Sequence, residues 1–87
     1  MINAFFNFAE GTEMSRKREL KRAIEDCELE IKSLEQKRMR SQSALLESVL
    51  MKSEPDKTEM EYFRVFSALV NKERQRLIQL NEELKNL

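Results

Sequence analysis

Apolar residues recur along this chain at alternating spacings of three and four, in two long tracts separated by a single proline. In the first tract the line reads Ile24, Cys27, Ile31, Leu34, Arg38, Ser41, Leu45, Ser48. In the second it reads Phe63, Phe66, Val70, Glu73, Leu77, Leu80, Leu84, Leu87. This spacing sets each line on one stripe of an α-helix, at the a and d positions of a heptad. Nothing between Glu13 and Met51 breaks a helix, and a helix over that span would be roughly 58 Å long at 1.5 Å per residue. The segment Ser53-Glu54-Pro55-Asp56-Lys57-Thr58 then interrupts, because proline pushes the residue before it out of helical geometry and suits the first turn of a following helix. Ser53 with Asp56, or Thr58 with Glu61, supplies capping side chains. The pattern predicts an all-α fold, an antiparallel two-helix coiled-coil hairpin over residues 12–87. Its helices are expected over about 13–51 and about 59–86, with the turn over 52–58 and the reversal at Pro55. Ahead of it, Ile2, Phe5, Phe6 and Ala9 share a helical face in a short apolar segment, residues 1–11, which Gly11 ends before Thr12 or Ser15 caps the long helix.

Antiparallel pairing sets a positions of one helix opposite d positions of the other. Each stripe carries one charge, Arg38 and Glu73, and facing them across the seam sets a register. It pairs Ile24 with Leu87, Cys27 with Leu84, Ile31 with Leu80 and Leu34 with Leu77, then Ser41 with Val70, Leu45 with Phe66 and Ser48 with Phe63. A slip of one heptad would instead face Glu73 with Ile31 and Arg38 with Phe66. Burying either charge unpaired costs several kcal/mol, which favours the Arg38–Glu73 register. One flank of the hairpin then matches, with Glu35 beside Arg74, Glu28 beside Asn81 and Gln42 beside Ser67. The other opposes Lys37 to Arg76 and Glu30 to Glu83, like charge against like. Towards the turn this second flank is apolar, with Ala44 near Leu69 and Met51 near Tyr62; Met39, Leu46, Leu50 and Val65 also lie outside the seam. Unmatched charge and surplus apolar surface together point to a docking face. The candidate partner-binding residues are Phe5, Phe6, Phe8, Ala44, Leu46, Leu50, Met51, Tyr62, Val65 and Leu69. The Phe-rich N-terminus either covers its own hairpin's flank or binds a partner.

Composition narrows the function classes. With 87 residues there is room for one domain, whose core is thin unless oligomerisation adds to it. Charged residues form 37% of the chain, yet the net charge is zero, which disfavours nucleic acid as a partner. One cysteine and no histidine exclude an internal disulfide and a single-chain zinc site of the usual kind, and no cofactor is implied. The solitary Cys27 at a seam position reads as a small buried apolar residue, and it fits a reducing, cytoplasmic setting. No apolar run approaches the 18 or so residues of a membrane span, and the apolar start lacks the basic leader of a signal peptide. There is no histidine to act as a base, no base partner for the thiol and no glycine-rich phosphate loop, so no catalytic residue is assigned and the chain is expected not to be an enzyme.

These features converge on a helical protein–protein interaction module, a small adaptor, co-chaperone or assembly subunit that completes a helical bundle as a homodimer or hetero-oligomer. In outline, two amphipathic helices joined by a short polar turn, the chain is similar to the small hairpin co-chaperones that escort needle subunits in type III secretion. A second reading draws on the basic stretch Ser15-Arg16-Lys17-Arg18-Glu19-Leu20-Lys21-Arg22, which precedes the heptads as the basic region of a leucine-zipper regulator does. That run is short, however, and acids resume at Glu25, which favours a solvated face or a contact for an acidic partner.

Overall fold

The computed structural model describes the backbone of residues 2–87 and the side chains of residues 14–87. Two helices account for it: α1, Ile2–Leu50, and α2, Lys57–Lys85, which pack along one another as an antiparallel hairpin with no strand among the described residues. The helix end expected at Gly11, with a fresh cap at Thr12 or Ser15, does not occur: α1 runs unbroken through these positions, because a lone glycine inside a long helical tract costs only about 1 kcal/mol. The side chains of Phe5, Phe6 and Phe8 lie outside the described residues.

The two apolar stripes are the faces the hairpin buries. Ile24, Cys27, Leu34 and Ser41 of α1 and Val70 of α2 are buried. Ile31, Arg38, Leu45 and Ser48, with Phe63, Phe66, Glu73, Leu77, Leu80 and Leu84, are half-buried between them. Two residues depart from the expected stripes, and both carry information. Leu20, one heptad step before Cys27, is 3% exposed, whereas Leu87 at the far end of α2 is 66% exposed.

That exchange reflects a different register. The Cys27 thiol meets Glu73, Arg16 pairs with Glu83 and Glu35 pairs with Arg74. Only one a-to-d alignment brings all three pairs within reach, and it lies one heptad from the Arg38–Glu73 register. It faces Leu20 with Leu84, Ile24 with Leu80, Cys27 with Leu77, Leu34 with Val70 and Ser41 with Phe63. Arg38 then lies opposite Phe66, and Glu73 opposite Ile31. The Arg38–Glu73 ion pair is absent from the hairpin; Glu73 instead approaches Arg76 of its own helix, with Arg76 Nη1 3.5 Å from Glu73 Oε2.

The sequence argument assumed that a charge on the seam would be buried. A seam between two helices has water on both flanks, so a long side chain can lay its stem along the interface and turn its head outward. Arg38 is half-buried, and the Glu73 side chain keeps 19% of its surface exposed. The penalty for a buried unpaired charge therefore does not arise. Moving by a heptad brings Leu20 into the seam at the cost of exposing Leu87.

The turn fixes the same register from the other side. Lys52 has a left-handed backbone, φ 55°. Its N–H donates to the Val49 carbonyl at 3.1 Å, and the Ser53 N–H donates to the Ser48 carbonyl at 3.0 Å. This is a Schellman ending, in which one left-handed residue satisfies the last carbonyls and turns the chain out of the helix. The centre of the register falls on Lys52, not on Pro55. Asp56 is the N-cap of α2: its backbone is extended, and its carboxylate accepts the Thr58 N–H at 2.8 Å. A cap of this kind contributes about 1 kcal/mol. Thr58 is therefore already inside α2, which starts two residues before the position expected from the Thr58–Glu61 box, and Pro55 stands before the cap where its missing N–H costs nothing.

Candidate docking surface

The elements that close the hairpin also determine what it leaves open. Beyond the last well-covered layer, Leu34 with Val70 and Ser41 with Phe63, the seam narrows to Leu45 and Ser48 on α1. Side chains around this turn end face water. Leu50 is 76% exposed and Met51 73%. Leu46, Tyr62, Val65 and Leu69 are exposed as well, while Ala44 is half-buried. Every described residue of the expected docking face thus lies at or near the surface.

Tyr62 and Phe66 hold part of this surface in shape, with ring centroids 5.9 Å apart at 32°. Such aromatic pairs add about 0.5–1.5 kcal/mol beyond the area they bury. On the outer side of Tyr62, Arg64 bonds the Glu61 carboxylate, and this bond holds the Glu61 carboxyl below its ordinary range. The aromatic patch is therefore bordered by a fixed charge pair on α2.

The patch has two members outside the expected partner-binding residues: Val49, and Met60, which reads from the sequence as ordinary core. Val49 is 69% exposed and Met60 49% exposed. The observed register sets them across from each other on the flank opposite Tyr62, so apolar surface wraps both sides of the turn. The signal was present: Leu46 and Val49 are three residues apart, and Met60 lies one helical turn from Arg64. Both residues stand on the charge-matched flank of the expected register, where no mismatch marks them.

That charge conflict is itself removed by the register. Glu30 now lies across from Arg76, and Lys37 across from Leu69, in place of the opposed pairs Lys37–Arg76 and Glu30–Glu83. Glu83 takes Arg16, with Nη2 to Oε1 at 3.0 Å, and Arg74 Nη2 meets Glu35 Oε1 at 2.7 Å. The Glu35–Arg74 pair read from the sequence does form. It is compatible with both registers because long side chains reach either neighbour across the flank. All these pairs are about half-exposed, so each contributes at most about 1 kcal/mol.

The densest polar contact inside the seam is at Cys27, which is 1% exposed. Its thiol donates to the Glu73 carbonyl oxygen at 3.2 Å and approaches Glu73 Oε2 at 3.4 Å. A sulfur this close to the backbone of the facing helix requires the two helices to approach tightly, which a larger side chain at position 27 would prevent. Burial pushes the thiol pKa up, and the hydrogen bond and negative charge of Glu73 add to this. The nearby Arg76 only partly offsets the rise. A thiol held protonated is a poor nucleophile and a poor metal ligand, so its place is in the packing.

Among the described residues no cluster of three or more Cys, Asp or Glu side chains could hold a metal ion. Among the described residues no helix is long and apolar enough to cross a membrane. The concavities are open and shallow; one runs along the outer face of α1 past Gln36, Met39, Arg40 and Ser43. No protein family, no curated protein and no solved structure matches this chain.

Proposed function

We propose that this chain is a non-enzymatic helical interaction module, an adaptor, co-chaperone or assembly subunit that buries the apolar turn end of its hairpin against another helical protein surface. One observation carries the reading: Leu46, Val49, Leu50, Met51, Met60 and Tyr62 are exposed within a few turns of the reversal, and Val65 and Leu69 continue the exposed apolar surface along α2. Scattered exposed apolar residues are ordinary, but a contiguous group flanked by charge pairs is characteristic of a protein contact. Its mixture of methionine, tyrosine and leucine resembles the composition of interface centres. The hairpin itself has little core to spare, since only five apolar side chains are buried among the described residues. Covering the turn end would add to a small stability.

Opposed charges no longer contribute to this reading; exposed apolar area alone supports it. The alternative of nucleic-acid binding through Arg16–Arg22 has less support, because Arg16 is paired with Glu83 and the net charge is zero. The test is the double variant Tyr62→Glu and Leu69→Glu. Its helicity by circular dichroism should match the parent, while association with itself or with a partner is lost. If the variant unfolds a protein that was already monomeric, the turn end is internal core and the reading fails.

A further inference from the structure

The chain carries two separated apolar groups: the turn end just described and, in the sequence, the N-terminal run Ile2, Phe5, Phe6, Phe8. Whether the second can cover the first within one chain is a question of reach. From Met14, Leu46 lies 32 residues along α1, a rise of about 48 Å, and Leu50 lies about 54 Å away. Phe5 is nine residues before Met14, and nine fully extended residues span at most about 32 Å. Phe6 and Phe8 reach less far. No conformation of residues 1–13 carries these phenylalanines to Leu46, Leu50 or Met51 of the same hairpin.

We infer that the turn end is covered by the Phe-rich N-terminal segment of a second copy of this chain, in a reciprocal antiparallel dimer. The inference rests on the interaction-module reading and names the partner. The N-terminal phenylalanines and Leu46, Leu50 and Met51, out of each other's reach within one chain, become neighbours when a second hairpin lies alongside in the opposite sense. A twofold axis across the middle of α1 then makes the contact twice, once at each end, and the assembly closes without further growth. The contact is chemically suited: phenylalanine rings against Leu46, Leu50 and the Met51 thioether combine area burial with sulfur–aromatic packing.

The test uses the full chain with a photoreactive benzoylphenylalanine in place of Phe6, mixed in unlabelled and heavy-isotope forms. Sedimentation should show a dimer, and irradiation should join position 6 of one isotope to peptides 44–51 or 60–69 of the other. Phe5→Asp with Phe6→Asp should weaken self-association about 100-fold or more, since two buried rings are lost, and leave the hairpin's helicity unchanged. A monomer at every concentration overturns the inference, as does a dimer whose cross-links join position 6 to position 6. The Tyr62→Glu/Leu69→Glu variant separates the two failures. If it stays folded in a monomeric background and loses binding to a different protein, the module reading stands without the dimer; if it unfolds that monomer, both fall.

Discussion

Replacing Leu20 and Leu87 with alanine, one at a time, tests the register directly, because the two alignments assign them opposite roles. In the observed hairpin Leu20 faces Leu84 and is 3% exposed, while Leu87 is 66% exposed. Truncating leucine to alanine removes about three methylene equivalents, worth roughly 2.4 kcal/mol when fully buried. The gap left in a two-helix seam opens to solvent, so little of the usual cavity cost is added, and Leu20→Ala should lose about 2.5 kcal/mol, the low end of core truncations. Leu87 buries only a third of its surface, so Leu87→Ala should lose under about 0.8 kcal/mol, less again because the last turn frays. Urea titration followed at the helical circular dichroism band gives both values. With a slope of about 1 kcal/mol per molar, the Leu20 variant should move its midpoint about 2.5 M below the parent and the Leu87 variant by under 1 M. Equal protein concentrations are required, since any dimer couples stability to concentration. Equal losses at the two positions, or a larger loss at Leu87, would refute the register and with it the removal of the charge conflict.

Two further outcomes follow from the turn and the buried thiol. Lys52→Gly should raise stability by about 0.5–1 kcal/mol, because left-handed geometry costs a side-chain-bearing residue about 1–2 kcal/mol and glycine returns part of that as unfolded-state entropy. Lys52→Val should lower stability, and a destabilised glycine variant in thermal melts would show that Lys52 is not left-handed in solution. The Cys27 thiol is raised above its ordinary pKa of 9.0, first by burial and then by Glu73. Its contribution is thus complete below that pH and is lost as pH climbs through the folded-state value, since the unfolded chain releases the proton first. Stability measured from neutral pH into the alkaline range should fall more steeply in the parent than in Cys27→Ala, where lysines and tyrosine still titrate but this thiol does not. Parallel profiles would count against a protonated Cys27 in the seam.

The fold was legible in the sequence wherever periodicity alone decided it. Spacings of three and four marked both stripes, and every seam position from Ile24 to Ser48 and from Phe63 to Leu84 is buried or half-buried. Periodicity is blind to a shift by one heptad, because such a shift preserves every a-to-d pairing class. The choice then fell to the charges Arg38 and Glu73, valued as though they lay in a deep core. In a hairpin open on both flanks their long stems keep the heads near water, so the deciding energy was assigned to a term that is nearly absent. The turn held better information. A left-handed residue after Leu50 and an aspartate cap before Lys57 fix how the helices start and stop, but no glycine at position 52 announced it.

The exposed apolar turn end is the same in either register, and that independence shows which physical term matters. Opposed like charges at Lys37–Arg76 and Glu30–Glu83 vanish in the observed register, yet Leu46, Leu50, Met51 and Tyr62 remain exposed. Their exposure does not depend on register, because a residue outside the apolar stripe of its own helix stays outside the seam however far the two slide. Charge matching across a flank is a property of alignment, while apolar surface outside the seam is a property of each helix alone. The turn end is therefore the firmer functional signal. It also explains why Val49 and Met60 belong with it, although no charge pattern singled them out: both stand outside the seam, and the turn brings them to the same end of the molecule.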